Sequence, residues 1–174
     1  MPLSFGLLWL SACAQLPPAE HAAAVWWLTN LVWFHIGADI LSGFFQVMPV
    51  MTDLYKRMTP AHASPRWADD RAHMDGGYAL ELLVEVPLAA WILWLLLRRD
   101  PAWRVVEVFG LAAQFAGTVA YYAPGIARGE TACWLSWVDR LCASIWLMYP
   151  AWRLRCHVAD ARRDARAASG RKKA

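Results

Sequence analysis

Residues 77–97 read GYALELLVEVPLAAWILWLLL, and this stretch decides the fold. Its interruptions are few: Glu81, Glu85 and the helix breaker Pro87. At 1.5 Å per residue it spans roughly 30 Å as a helix, which matches the hydrocarbon core of a bilayer. It does not alternate as a barrel strand would, so a membrane helix is the reading. Three more stretches have the same character. Residues 22–51 hold Asn30, His35, Asp39 and Gln46; residues 102–124 hold Glu107, Gln114 and Thr118; residues 132–152 hold Asp139 and Arg140.

Composition agrees. Charged residues make up 18% of the 174, against about a quarter in a soluble domain, and mean hydropathy is +0.28. A disordered chain, a coiled coil and an ordinary water-soluble enzyme are excluded. Four spans of about 20 residues leave no room for a second globular domain. The expected fold is all-α, an integral-membrane four-helix bundle (helices 22–51, 77–97, 102–124 and 132–152) with a ligand cavity inside it. Residues 1–21 form an apolar interfacial segment, and residues 153–174 a basic tail.

Basic residues set the topology. Of 17 Lys and Arg, 11 lie in the turn with Arg98, Arg99 and Arg104 or in the tail from Arg153 to Lys173. With four spans these share one side, which the positive-inside rule makes cytoplasmic. The chain is thus expected to be multi-pass with both termini cytoplasmic, in the endoplasmic reticulum of a eukaryote or the inner membrane of a bacterium. The basic tail suits anionic lipid, and nucleic acid is not expected as a partner. The loop 52–76 balances Lys56, Arg57, Arg66 and Arg71 against Asp53, Asp69, Asp70 and Asp75. Leu10-Ser11-Ala12-Cys13 resembles a lipoprotein processing site, but no Lys or Arg precedes it as in a signal peptide, so the segment is expected to stay. Cys13, Cys133, Cys142 and Cys156 form no CxxC pair and no metal spacing.

The polar groups inside the spans carry the functional argument, because each charge there costs about 2.5–3.5 kcal/mol. His35 and Asp39, Glu81 and Glu85, and Gln114 and Thr118 are each four apart, so each pair shares one helix face. Counted from the outer ends at 1.5 Å per residue, Glu81 and Glu85 lie about 6 and 12 Å deep, Asp139 about 10 Å, and Asp39 and His35 about 18 and 24 Å. Four helices thereby point polar groups into one layer open to the outside. Two carboxylates one turn apart at low dielectric cannot both ionise cheaply, so one of Glu81 and Glu85 holds a proton. That suits proton transfer, or a cationic amine as ligand. Glu107, one turn from the cytoplasmic end, is expected to snorkel to the interface. Asp139 can instead pair with Arg140. Trp33, Trp91, Trp94 and Trp146 are candidate cavity walls; Trp103, Trp134 and Trp152 suit interfacial belts. His35 is alone among histidines in the spans, so no metal is expected.

The order and spacing of these residues resemble the EXPERA-domain superfamily, which holds the emopamil-binding protein (a sterol Δ8-Δ7 isomerase) and the sigma-two receptor. The resemblance covers about residues 30–152. It rests on His35-x3-Asp39 with Pro49, on Glu81-Leu-x2-Glu85-x-Pro87, on Gln114-x2-Gly117 with Tyr121, and on Trp146-Leu-x2-Pro150. Trp67, Asp69 and Arg71 loosely resemble the isomerase's loop before helix two. The resemblance implies a four-helix bundle with a cavity open sideways to lipid. It implies His35, Asp39 and Glu81 as the proton-moving residues, with Trp146 lining the cavity beside the carbocation. The polar layer and the matched motifs add Glu85, Gln114, Thr118, Tyr121 and Asp139 as candidate substrate-binding residues. Departures are plain: Asp39 is shorter than the family's Glu, Ala143 replaces an Asn, Gly43 an Asp, and Glu85 a Gln. A different isoprenoid or polycyclic substrate is therefore in view.

The expected activity is isomerisation of a C=C bond in a sterol-like or isoprenoid lipid, which needs no cofactor. The alternative is a non-catalytic protein binding lipid or hydrophobic amines. A proton- or ion-conducting bundle is a third class, weakened by the absence of an internal repeat. A homodimer is compatible with all three.

Overall fold

The computed structural model describes residues 16–129 and 134–171. The expected interfacial segment lies outside them up to residue 15, Cys13 included, as does Cys133; the side chains of Trp134, Asp139, Cys142 and Ala143 are outside them too. Among the described residues all regular structure is helical. Two helices are long and apolar enough to cross a membrane, or three if one bent pair counts as a single span.

Helix α1 begins at Pro18 (Pro18–Thr29) and runs on without a break as a π-helix over Asn30–Phe44. Its close shows the wide turn directly, with Phe45 N–H donating to the carbonyl of Ile40, five residues back. The expected first span to residue 51 is corrected here. Gln46 takes φ +56°, Met48 is extended, and Pro49 starts α2 (Pro49–Met58), which leaves at 78° to α1. The residue before a proline disfavours helix, and proline has no N–H to continue one.

Helix α3 (Ala72–Leu97) starts five residues before the expected boundary and contains one π turn, Glu81–Glu85, closed by Val86 N–H on the Glu81 carbonyl. π turns are uncommon and often mark functional sites. Helix α4 (Trp103–Ala127) passes through Pro124, where the sequence suggests an end. Helix α5 (Trp134–Arg171) continues through what reads as a tail. At 1.5 Å per residue α5 is roughly 57 Å long, nearly twice a hydrocarbon core, so one end must project beyond any bilayer it enters.

Helix phase sorts the side chains. Along α3, Glu85, Ala89, Ile92 and Leu96 are buried, whereas Leu83, Trp91 and Trp94 are exposed. Trp91 and Trp94 thus face outward, away from the buried face that carries Glu85, contrary to the expectation that they wall a cavity. Val32, Val105, Phe109 and Met148 add to an apolar outer surface suited to lipid.

The inner core joins Ala23, Ala24 and Trp27 of α1, Ile92 and Leu96 of α3, and Trp103, Val106 and Leu111 of α4. Lipid is as apolar as these side chains, so close packing rather than water exclusion must hold such helices together. Gly110 shows how tight it is: a Cβ there would lie 2.6 Å from Trp27 Cη2. Gly110→Ala is expected to cost about 1–3 kcal/mol by overpacking. Thermal unfolding in detergent checks this, with Gly76→Ala, where an added Cβ meets nothing within 4 Å, as the neutral comparison.

Glu107 does not snorkel. It is fully buried, accepting from Trp27 Nε1 at 3.1 Å and Arg153 Nη2 at 2.7 Å, with His157 Nε2 at 2.6 Å. Trp103, expected in an interfacial belt, is buried beside Arg153 and His157. At the opposite end of the helices Arg71 plays the matching part. It donates to Asp75 and to the carbonyls of His62, Ser64 and Gly43, which pins the loop 59–71 onto α1 and α3. Burial, with the charges of Arg71 and His73, pushes His62 down to about 3, so its ring is neutral.

Candidate functional site

Between the two ends lies a polar layer with a pocket of about 230 Å³. Eight of the nine expected site residues line it: His35, Asp39, Glu81, Glu85, Gln114, Thr118, Tyr121 and Trp146. The ninth, Asp139, has its side chain outside the described residues. Trp33 reaches the rim, although most of its surface is exposed.

His35 sits at the centre, 3% exposed. Its Nδ1 is 3.9 Å from Glu81 Oε2 and its Nε2 is 3.4 Å from Glu85 Oε2, so one ring lies between two carboxylates from one π turn. That turn lets residues 81 and 85 both face α1. Glu85 also needs Gly117, because a Cβ at position 117 would lie 2.8 Å from Glu85 Oε1.

A chain of amide and indole groups fixes His35 from behind. Asn30 Nδ2 donates to the Trp26 carbonyl at 2.8 Å, leaving Asn30 Oδ1 to accept from Trp146 Nε1 at 2.6 Å and Gln114 Nε2 at 3.1 Å. Trp26 Nε1 donates to Gln114 Oε1 at 3.1 Å, which orients that amide and turns its nitrogen towards His35 Nε2 at 3.3 Å. Nε2 therefore meets opposed partners: an amide N–H that wants an acceptor, and the Glu85 carboxylate that wants a donor. The two ring tautomers are each supported by one neighbour, as a group that passes protons requires.

Asp39 accepts from Tyr55 Oη at 2.5 Å. His62 Nε2 and Tyr121 Oη lie 2.9 Å apart, with Tyr78 Oη 3.4 Å from the same nitrogen. Thr118 spends its hydroxyl on the Gln114 carbonyl at 2.7 Å. Phe34 meets Trp146 edge-on, centroids 4.5 Å apart. Among the described residues no Lys or Arg lines the pocket.

Sequence reasoning missed Tyr55, Tyr78, Asn30 and Trp26. Asn30 carries the one available signal, a polar residue in an apolar run five before His35, one π turn away on the same face. Tyr55 lies beyond the Pro49 bend, and nothing in its neighbourhood marks it.

The described residues thus form an all-helical protein with two or three potential membrane helices and a pocket lined by His35 and three carboxylates. Set against known proteins, it matches no family profile, no curated protein and no solved structure.

Proposed function

We infer that this protein is a membrane-embedded isomerase that moves a double bond in a sterol-like or other polycyclic or isoprenoid lipid. The observation that carries the reading is His35 held between Glu81 and Glu85, at 3.9 and 3.4 Å, on a pocket lined by aromatic side chains. An acid, Glu81 or protonated His35, gives a proton to one alkene carbon; the π pair forms the C–H bond and leaves a carbocation. A base, Asp39 or neutral His35, then takes a proton from a neighbouring carbon, and that C–H pair becomes the shifted double bond. One proton enters and one leaves. Trp146 and the neighbouring aromatic rings offer negative π-faces that favour a transient cation, and excluded water protects it.

The same reading makes α1, α3, α4 and the first half of α5 a four-helix membrane bundle with both termini cytoplasmic. At two of the departures from the EXPERA-type pattern another side chain of this protein occupies the neighbourhood. Ala143 stands where the isomerase has an Asn, but here Asn30 on α1 accepts from Trp146. Gly43 stands where the sigma-two branch has an Asp, and a Cβ there would lie 2.5 Å from Tyr78, so the tyrosine fills that space.

A second reading has its own support. Three carboxylates on a pocket that no Lys or Arg of the described residues lines also suit a hydrophobic amine. One experiment separates the two. Cells expressing the protein with candidate sterols and isoprenoids are extracted, and double-bond isomers are resolved by mass spectrometry. The isomerase reading expects new isomers. Unchanged lipids, together with saturable amine binding that Glu81→Gln abolishes, leave the binding protein.

A further inference from the structure

We propose that His35, Asp39 and Glu81 form a binding site for one divalent transition-metal ion. The three side chains, from two helices, offer ligand atoms that all lie within 4.8 Å of one another. A cluster alone would say little, but four further features point to a ligand.

The first is a pair of orphaned atoms. His35 Nδ1 and Glu81 Oε2 are buried without a hydrogen-bond partner, and they face each other at 3.9 Å. That is too long for a hydrogen bond. It suits two atoms bound to one ion at about 2.0–2.2 Å each.

The second is the outer shell. A ligating imidazole commonly gives its other N–H to a carboxylate, which frees the first nitrogen's lone pair for the metal. Glu85 Oε2 stands 3.4 Å from His35 Nε2 in that position. Ligating carboxylates are hydrogen-bonded in turn, and Tyr55 donates to Asp39 Oδ1 at 2.5 Å.

The third is charge. Glu81 and Glu85 come from one π turn, and among the described residues no Lys or Arg lines the pocket. A bound divalent ion would offset that concentration of carboxylates.

The fourth is the donor set. One imidazole nitrogen with two carboxylate oxygens favours Zn²⁺, Co²⁺, Fe²⁺ or Mn²⁺ over Ca²⁺ and Mg²⁺, which take oxygen shells. Three protein ligands leave positions open to the pocket for water or a substrate oxygen. The ion takes the atoms that would otherwise carry protons, so ion and proton exclude each other. The site stands whether or not the pocket turns over a lipid.

Co²⁺ titration of the full-length protein, purified in detergent and stripped with a chelator, tests this. The expected result is one Co²⁺ per chain with visible d–d absorption, displaced by an equivalent of Zn²⁺. His35→Ala and Glu81→Gln are each expected to weaken binding more than tenfold. Tyr55→Phe, which spares all three ligands, should weaken it by about tenfold or more, and His73→Ala should leave it unchanged. Circular dichroism of each variant confirms that it is folded. No saturable absorption, or binding that His35→Ala, Glu81→Gln and Tyr55→Phe all leave intact, overturns the site.

Discussion

His35→Gln is expected to lower isomer formation by roughly 10²- to 10⁴-fold, the usual contribution of a positioned acid–base group, while the chain stays folded. Glutamine keeps much of the side-chain volume and can still accept from Gln114 and donate to Glu85. It cannot take up and release a proton. The His35 ring stands between Glu81, 3.9 Å away on one side, and Glu85, 3.4 Å away on the other, so a proton passed between the two would go through it. The loss should therefore fall on kcat, with KM for the lipid changed far less, since the apolar lining is intact. His35→Ala should lose as much activity and some stability as well, because it opens a cavity and leaves Glu85 buried without its partner. Full turnover by His35→Gln would remove the histidine from the chemistry.

The largest loss of stability is expected from Glu107→Ala. That change leaves Arg153 buried without a counter-charge and removes the acceptor of Trp27 and the partner of His157. Breaking a buried ion pair from one side costs about 3–5 kcal/mol. Glu107, on α4, binds Trp27 of α1 and Arg153 and His157 of α5 at once, so α5 should loosen from α4 when it goes. Glu107→Gln keeps a group that can accept from Trp27 but not the charge, and should fall between. Thermal unfolding in detergent ranks the three proteins. A Glu107→Ala protein that melts with the wild type would mean that Arg153 and His157 reach water instead.

The two predictions differ in how readable their residues are in the sequence. His35, Asp39, Glu81 and Glu85 stand out because an apolar background makes every ionisable group conspicuous, and their four-residue spacing puts each pair on one face. Glu107 stands out equally, but its fate depends on Arg153 and His157, which lie 46 and 50 residues away. No local pattern reveals such a partner. Without it, a glutamate one turn inside a membrane edge reads as snorkelling.

Trp91 and Trp94 teach a different lesson. Depth along a helix does not say which way a side chain points. The phase did: Glu85, Ala89, Ile92 and Leu96 step by four, three and four along one face, and the two tryptophans fall outside it. The break at residues 45–48 was also marked, by Gln46 and Pro49 within one turn. The wide π geometry of Asn30–Phe44 was not marked, because no residue type demands it. That geometry places Asn30 behind His35 and joins Trp146, 116 residues away, to the site.

The central claim is that protons enter and leave a lipid alkene in this pocket. The most direct measurement is turnover in D₂O with the purified protein and a lipid that it isomerises. Isomerisation through a carbocation predicts a product carrying one deuterium at the protonated carbon, formed by the wild type and not by His35→Gln. A shifted double bond with no deuterium incorporated would contradict it.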